Sequence, residues 1–188
     1  MMNISHSDLT VERTPSKYDG HTYQPEHIGL GWDEIDINYT YTDYPDRSVV
    51  ITKEMVEQFA DLTGDQNPIH VDPKFARRSI HRRNIAHGAL LLSIVIGQYH
   101  GMGYTYGTTL ALISANARFM RACPFGSRVY VDFIIVDKEE NAHPKRGLVT
   151  FRATMYDYDT RDVYMEADLE VLIRRLKGKS AMKRLGIE

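Results

Sequence analysis

The order of apolar and polar positions divides the chain into a polar lead, a helical middle and an extended final third. Residues 1–27 carry His6, Ser7, Pro15 and Pro25 without sustained periodicity, and we read them as a polar N-terminal arm. From Trp32, the residues Ile35, Ile37, Tyr39 and Tyr41 alternate with Asp36, Asn38 and Thr40. That period of two predicts a strand. A turn is expected at Tyr44-Pro45-Asp46-Arg47, then a short extended piece over residues 48–51. Met55, Val56, Phe59, Ala60 and Leu62 recur at helical spacing, behind a capping Thr52 and ahead of Gly64 as a natural stop. Residues 64–73 are rich in turn formers and predict an irregular loop. A short helix is expected over residues 74–80 and a long one over residues 86–99, with Gly101, Gly103 and Gly107 ending it. The long helix is apolar nearly all round, which predicts that it is buried.

Residues 108–120, 128–136, 147–158 and 163–174 read as strands. Pro124-Phe125-Gly126, Asn141-Ala142-His143-Pro144 and the 157–162 segment join them. Strand, helices, then a run of strands able to pair antiparallel predicts an α+β fold, an antiparallel sheet wrapped around one buried helix. The single domain is bounded at residues 28–176, and residues 177–188 form a basic tail.

Composition changes this picture little. The 188 residues, 43% hydrophobic and 26% charged, suit one globular domain. Lys plus Arg number 23 against 25 Asp plus Glu, so no broad cationic surface argues for nucleic acid. A lone Cys123 cannot form an intramolecular disulfide, which fits a reducing cytoplasm. The longest apolar stretch, residues 85–97, spans 13 positions and includes His87. A bilayer crossing needs ~20. Residues 1–10 lack an apolar core, so no secretory signal is expected.

Two segments carry candidate chemistry. In the first, Asp65 and His70 flank Asn67-Pro68 on one bend. A carboxylate and an imidazole there can converge on one water and share proton removal and delivery. The alternative is a capped turn, with Asp65 and Asn67 bonded to their own backbone and His70 packed at an edge. In the second, Ile85-Ala86-His87-Gly88 opens the long helix with Gly88 near its start. Uncapped N–H groups there can stabilise negative charge on a carbonyl oxygen. Ser93 lies on the same helix, and its hydroxyl either serves the site or bonds back to Ala89.

Gly-Asp-x-Asn-Pro-x-His-x-Asp-Pro at 64–73, then Phe75-Ala76, then Ile-Ala-His-Gly at 85–88, resembles the MaoC-like family of R-specific enoyl-CoA hydratases and acyl dehydratases. The resemblance covers residues 48–100, extends weakly to Phe119, Pro124 and Gly126, and gives nothing for residues 1–30. It implies the hotdog fold, a long helix enclosed by an antiparallel sheet, in a homodimer or a dimer-based oligomer. By position, the family's catalytic pair falls on Asp65 and His70, its oxyanion donor on Gly88 and its helix serine on Ser93. Asn67 and His87 are carried with them as substrate contacts. The implied reaction is hydration of a trans-2-enoyl thioester, carried by coenzyme A or acyl carrier protein. No metal or redox cofactor is implied, and coenzyme A enters only as part of the substrate. Which member of the pair takes the first proton stays open.

Two positions depart from the family. Where it often has an aromatic and a proline before the Ile-x-His-Gly turn, this chain has His81 and Asn84. The polar surroundings raise a polar or carboxylated acyl group read by Arg82 or Arg83, against a plain solvated basic loop. With Arg77 and Arg78 they could also meet coenzyme A phosphates. The competing readings are a hotdog acyl-CoA thioesterase and a non-catalytic hotdog binding or assembly subunit.

Other signals carry little. His70, His81 and His87 lack the spacing of a zinc set. No Gly-x-Ser-x-Gly elbow occurs, and Gly101, Gly103 and Gly107 do not form a dinucleotide loop. Cys123 reads as a structural thiol. Tyr39, Tyr41 and Tyr44 read as sheet or dimer contacts.

Overall fold

The computed structural model describes residues 28–37, 40–42, 47–139 and 143–176. The expected arm 1–27, the tail 177–188, Tyr39, Tyr44 and most of the expected turn at 44–47 lie outside them.

The first element differs from the expected strand. Trp32–Glu34 is a single 3-10 turn. It is closed by Glu34 N–H donating to Gly31 O (3.0 Å) and Gly31 N–H donating to the Glu34 carboxylate (2.9 Å). Among the described residues the strand, β1, is Thr40–Thr42. Trp32 turns inward instead, and its Nε1–H donates to Leu148 O (3.1 Å). Lys138 Nζ and Arg175 Cζ lie 4.2 and 4.1 Å from its ring centroid.

β2 (Val49–Val50) leads into α1 (Lys53–Thr63). Both expected caps are present. Met55 N–H donates to Thr52 Oγ1 (3.2 Å), and Gly64, at φ +77°, donates its N–H to Ala60 O (2.8 Å). The loop after Gly64 is more ordered than expected. Asn67 and Pro68 start a one-turn helix, α2 (Pro68–Val71), because Pro suits a first helical turn and Asn67 Oδ1 accepts from Ile69 N–H (3.2 Å). Asp72 then caps α3 (Pro73–Arg78) through Lys74 N–H (2.7 Å).

The long helix, α4, is Gly88–Gly101. Leu90, Leu91, Val95 and Tyr99 enter the core, where Tyr99 meets Phe151 (4.8 Å between centroids) and Phe133 (6.0 Å). Burying such side chains stabilises the fold by about 1.5–3 kcal/mol each. The expectation of burial all round fails: Ala89, Ser93, Gly97 and His100 are exposed. Small side chains read as apolar, yet they bury little, and the sheet of one chain covers only one side of the helix.

β3 (Thr109–Phe119), β4 (Arg128–Glu139), β5 (Arg146–Asp157) and β6 (Val163–Arg174) follow close to the expected ranges. The described strands form one antiparallel sheet in the order β1-β4-β5-β6-β3, with β2 also on β4. This is the expected α+β arrangement. β3 closes the sheet at one end and exposes Leu110, Leu112, Ile113 and Phe119. No described helix is long and apolar enough to cross a membrane. Cys123 is buried, and desolvation pushes its thiol up to about 11, as befits a structural residue.

Candidate active site

Two segments far apart in sequence are fastened together by three side chains that donate to backbone carbonyls. His70 Nδ1 bonds Ile85 O (2.8 Å), His87 Nε2 bonds Asp65 O (3.0 Å) and Asn84 Nδ2 bonds Ile69 O (3.0 Å). The two histidines therefore interlock, each gripping the main chain beside the other. Ala86 N–H donates to Cys123 O (2.8 Å), which ties the pair of segments to the turn before β4.

A carbonyl oxygen only accepts, so each of these ring nitrogens carries hydrogen. Neutral His70 is thereby the Nδ1–H tautomer, with a bare lone pair at Nε2. Burial pushes its pKa below 6.5 and the nearby His87 adds to this, while the Ile85 carbonyl and Asp65 pull the other way. Neutral His70 is a base.

Asp65 is exposed, half-buried His70 is close by, and His87 is only 1% exposed. A carboxylate oxygen of Asp65 and one ring nitrogen of each histidine all lie within 4.8 Å of one another. One water hydrogen-bonded at about 2.8 Å to both Asp65 and His70 fits such a span. The capped turn is real as well: Asp65 Oδ1 accepts from Asn67 N–H (3.3 Å), and Asn67 Oδ1 is committed to Ile69. Capping sets the bend and leaves the second carboxylate oxygen of Asp65 available.

The three-residue cluster also raises the question of a metal, with Asp65 rather than His81 joining the two histidines. The imidazole rings are stacked, with centroids 3.8 Å apart and planes 30° apart. His70 Nδ1 and His87 Nε2 are each committed to a backbone carbonyl.

Gly88 begins α4, and no side chain caps that helix. Phe119 from the end of β3 packs over it, so that a Cβ on Gly88 would lie 2.9 Å from Phe119 Cζ. Ser93 is exposed, and its hydroxyl donates to Ala89 O (2.9 Å), the backbone bond weighed above. Its oxygen can still accept. Arg82 and Arg83 are exposed on the turn before Ile85, with Arg82 in the left-handed region at φ +61°. Lys74, Arg77 and Arg78 on α3 are exposed too, so residues 74–83 hold five cations and no carboxylate.

His87, expected as a substrate contact, is buried, its ring lying against His70 and approached by Phe59 (5.2 Å between centroids). The sequence marks Asn84 only as a departure from the family and Phe59 only as a helix position, because their roles here arise from contacts 15 and 28 residues away.

Comparison with known proteins bears on this site. The MaoC like domain model matches residues 40–156. Over 94 residues the chain is 38% identical to 3-hydroxyacyl-thioester dehydratase Z of Mycobacterium tuberculosis, covering 49% of this chain and 62% of that protein. Over 55 residues it is 44% identical to (R)-specific enoyl-CoA hydratase of Aeromonas caviae, covering 27% and 41%. The matched stretches thus span less than two thirds of either relative. A Mycobacterium tuberculosis structure described as a double hotdog fold superposes with a TM-score of 0.67 at 18% identity, covering 78% of this chain and 44% of that one. The fold is the hotdog.

Proposed function

The chain belongs to the MaoC-like domain family, and on that premise we propose that it adds water reversibly across the double bond of a trans-2-enoyl thioester, giving the (R)-3-hydroxyacyl thioester. The observation that carries this reading is the convergence of Asp65 and His70 within 4.8 Å, on one capped bend beside the uncapped start of α4. The names of the relatives, a 3-hydroxyacyl-thioester dehydratase and an (R)-specific enoyl-CoA hydratase, support the same chemistry.

In the proposed reaction the thioester carbonyl accepts a hydrogen bond from Gly88 N–H at the positive end of α4. Drawing charge onto that oxygen makes the β-carbon electrophilic. A water held by Asp65 and His70 gives up one proton to the pair as its oxygen bonds to the β-carbon. The pair returns a proton to the α-carbon, so H and OH add in balance. Asp65 and His70 act as one coupled unit. The addition is acid–base chemistry and draws on no metal or redox group.

The basic run at residues 74–83 supports a polyanionic carrier, coenzyme A, with Arg82 and Arg83 meeting its phosphates or an acyl carboxylate. The exposed apolar face of β3 supports a homodimer.

The test is loss of the conjugated thioester absorbance across a panel of enoyl-CoA esters. Asp65→Asn and His70→Ala are each expected to lower turnover by ~10² or more. Unchanged turnover in either would remove the mechanism. Release of free thiol instead of hydration would make the protein a thioesterase, and inactivity on the whole panel would favour a binding subunit. Arg83→Ala is expected to raise KM. An equal loss on crotonyl-CoA and a dicarboxylic enoyl-CoA would assign it to the carrier rather than the acyl group.

A further inference from the structure

We propose that His87 is a positioning residue. From a solvent-free pocket it holds the main chain of Asp65 through its Nε2–H and braces the flat of the His70 ring, fixing the two reacting side chains in one geometry. The proposal rests on the acid–base reading above, and its physical basis can be tested apart from it.

The loop that carries Asp65 is exposed and has few other anchors. Within residues 63–67 its bonds are local: Asp65 N–H to Thr63 Oγ1 (3.3 Å), Asn67 N–H to Asp65 Oδ1 (3.3 Å), Gln66 N–H to Gly64 O (2.9 Å). Such bonds shape the bend without fixing where it sits. The bond that ties Asp65 itself to the start of α4 is His87 Nε2–H to its carbonyl, across 22 residues of sequence. His70 is tied to the same segment by Ile85 O. His87 is therefore common to both reacting residues, through a hydrogen bond to one and a face-to-face contact of 3.8 Å with the other.

The chemistry of His87 suits that task. With Nε2 donating, its Nδ1 has no hydrogen-bond partner and no contact with solvent. A second proton there would bury an unpaired N–H on a cation, a costly arrangement. It would also set a charge against the stacked His70 ring. The ring is thus oriented with Nε2–H as the donor to the Asp65 main chain. The titratable groups acting on His70 are His87 and Asp65.

Two measurements decide it. The first is nitrogen NMR of the wild-type histidines. His87 is expected to carry its hydrogen on Nε2, the atom that donates to Asp65 O. A neutral His87 whose hydrogen sits on Nδ1 instead would overturn the proposal whatever the activity. The second separates the two contacts with variants assayed on crotonyl-CoA. His87→Phe keeps a ring to stack but loses the donor. His87→Gln keeps an N–H able to reach the Asp65 carbonyl but loses the ring. Misplacing a reacting group by an ångström can cost about 100-fold, so kcat of His87→Phe is expected to fall about 10- to 100-fold with KM within about twofold. His87→Gln is expected to recover part of that loss. Folded variants with wild-type kcat would overturn the proposal, as would a loss confined to KM. If wild type hydrates no ester while the tautomers are as stated, the acid–base reading fails and the positioning geometry stands.

Discussion

Phe119 packs its ring over Gly88 so closely that a methyl group on that glycine would sit 2.9 Å from Cζ. The end of β3 therefore determines how much space remains at the start of α4. Phe119 is 50% exposed, so its ring has room to swing aside. Alanine is also the better helix former by about 1 kcal/mol. Gly88→Ala is expected to change stability by no more than about 1 kcal/mol yet lower kcat/KM by ~10-fold or more, because the displaced ring and new methyl crowd the approach to the Gly88 N–H. The Gly88→Ala, Phe119→Ala double variant is expected to regain part of that activity. A single variant with full activity would show that access to this amide does not depend on the glycine.

His70 links acidity to stability. Its folded pKa lies below the ordinary 6.5, chiefly through burial, and burial lowers His100 as well. The unfolded chain takes up protons first as pH falls, so this contribution to stability is fully present above 6.5 and is lost as pH falls from 6.5 towards the folded values. Urea unfolding at about pH 7.5 and about pH 5.5 measures the slope, and His70→Asn is expected to flatten it. An undiminished slope in that variant would assign the acid sensitivity to other groups. In wild type, the acid limb of kcat/KM is expected below 6.5 for the same reason.

The candidate site was legible from the sequence wherever its geometry depends on neighbours along the chain. Asp65, Asn67, Pro68 and His70 lie within one bend, and their capping and turn preferences bring the first and last of them to one side. Thr52 and Gly64 bounded α1 for the same local reasons. The interlock of His70 with Ile85 and of His87 with Asp65 spans 15 and 22 residues, and no propensity encodes it. The 3-10 turn at Trp32 had a local signal, Gly31 followed three residues on by Glu34, which the alternation of Ile35 and Ile37 overrode. The open side of α4 escaped because hydropathy counts Ala89 and Gly97 as apolar while their size buries almost nothing.

Gly147 on β5 lies directly beneath Trp32, and a Cβ there would come within 2.3 Å of Nε1. The only tryptophan of the chain thus reports on how the segment before β1 is seated. Gly147→Ala must push the indole off the strand and break its bond to Leu148 O, at a cost of about 1–3 kcal/mol. The expected outcome is a lower urea midpoint with a red-shifted tryptophan emission in the native state. A variant with wild-type emission and midpoint would mean that the strand shifts and the indole does not.

β3 ends the sheet with one edge lacking a partner strand among the described residues, and Ile113 on it is 56% exposed beside exposed Leu110 and Leu112. A free edge that is also apolar invites pairing with another strand, and proteins that stay monomeric usually blunt such an edge with charge or proline. Residues 109–113, Thr-Leu-Ala-Leu-Ile, carry neither. A second copy of this chain would cover the apolar face and continue the sheet. Sedimentation velocity is expected to give a dimer for wild type. Ile113→Arg, which sets a guanidinium in the contact, is expected to weaken association by at least ~10-fold while leaving the urea unfolding of the monomer cooperative. A monomeric wild type, or a variant that associates as tightly, would rule this edge out as the contact between copies.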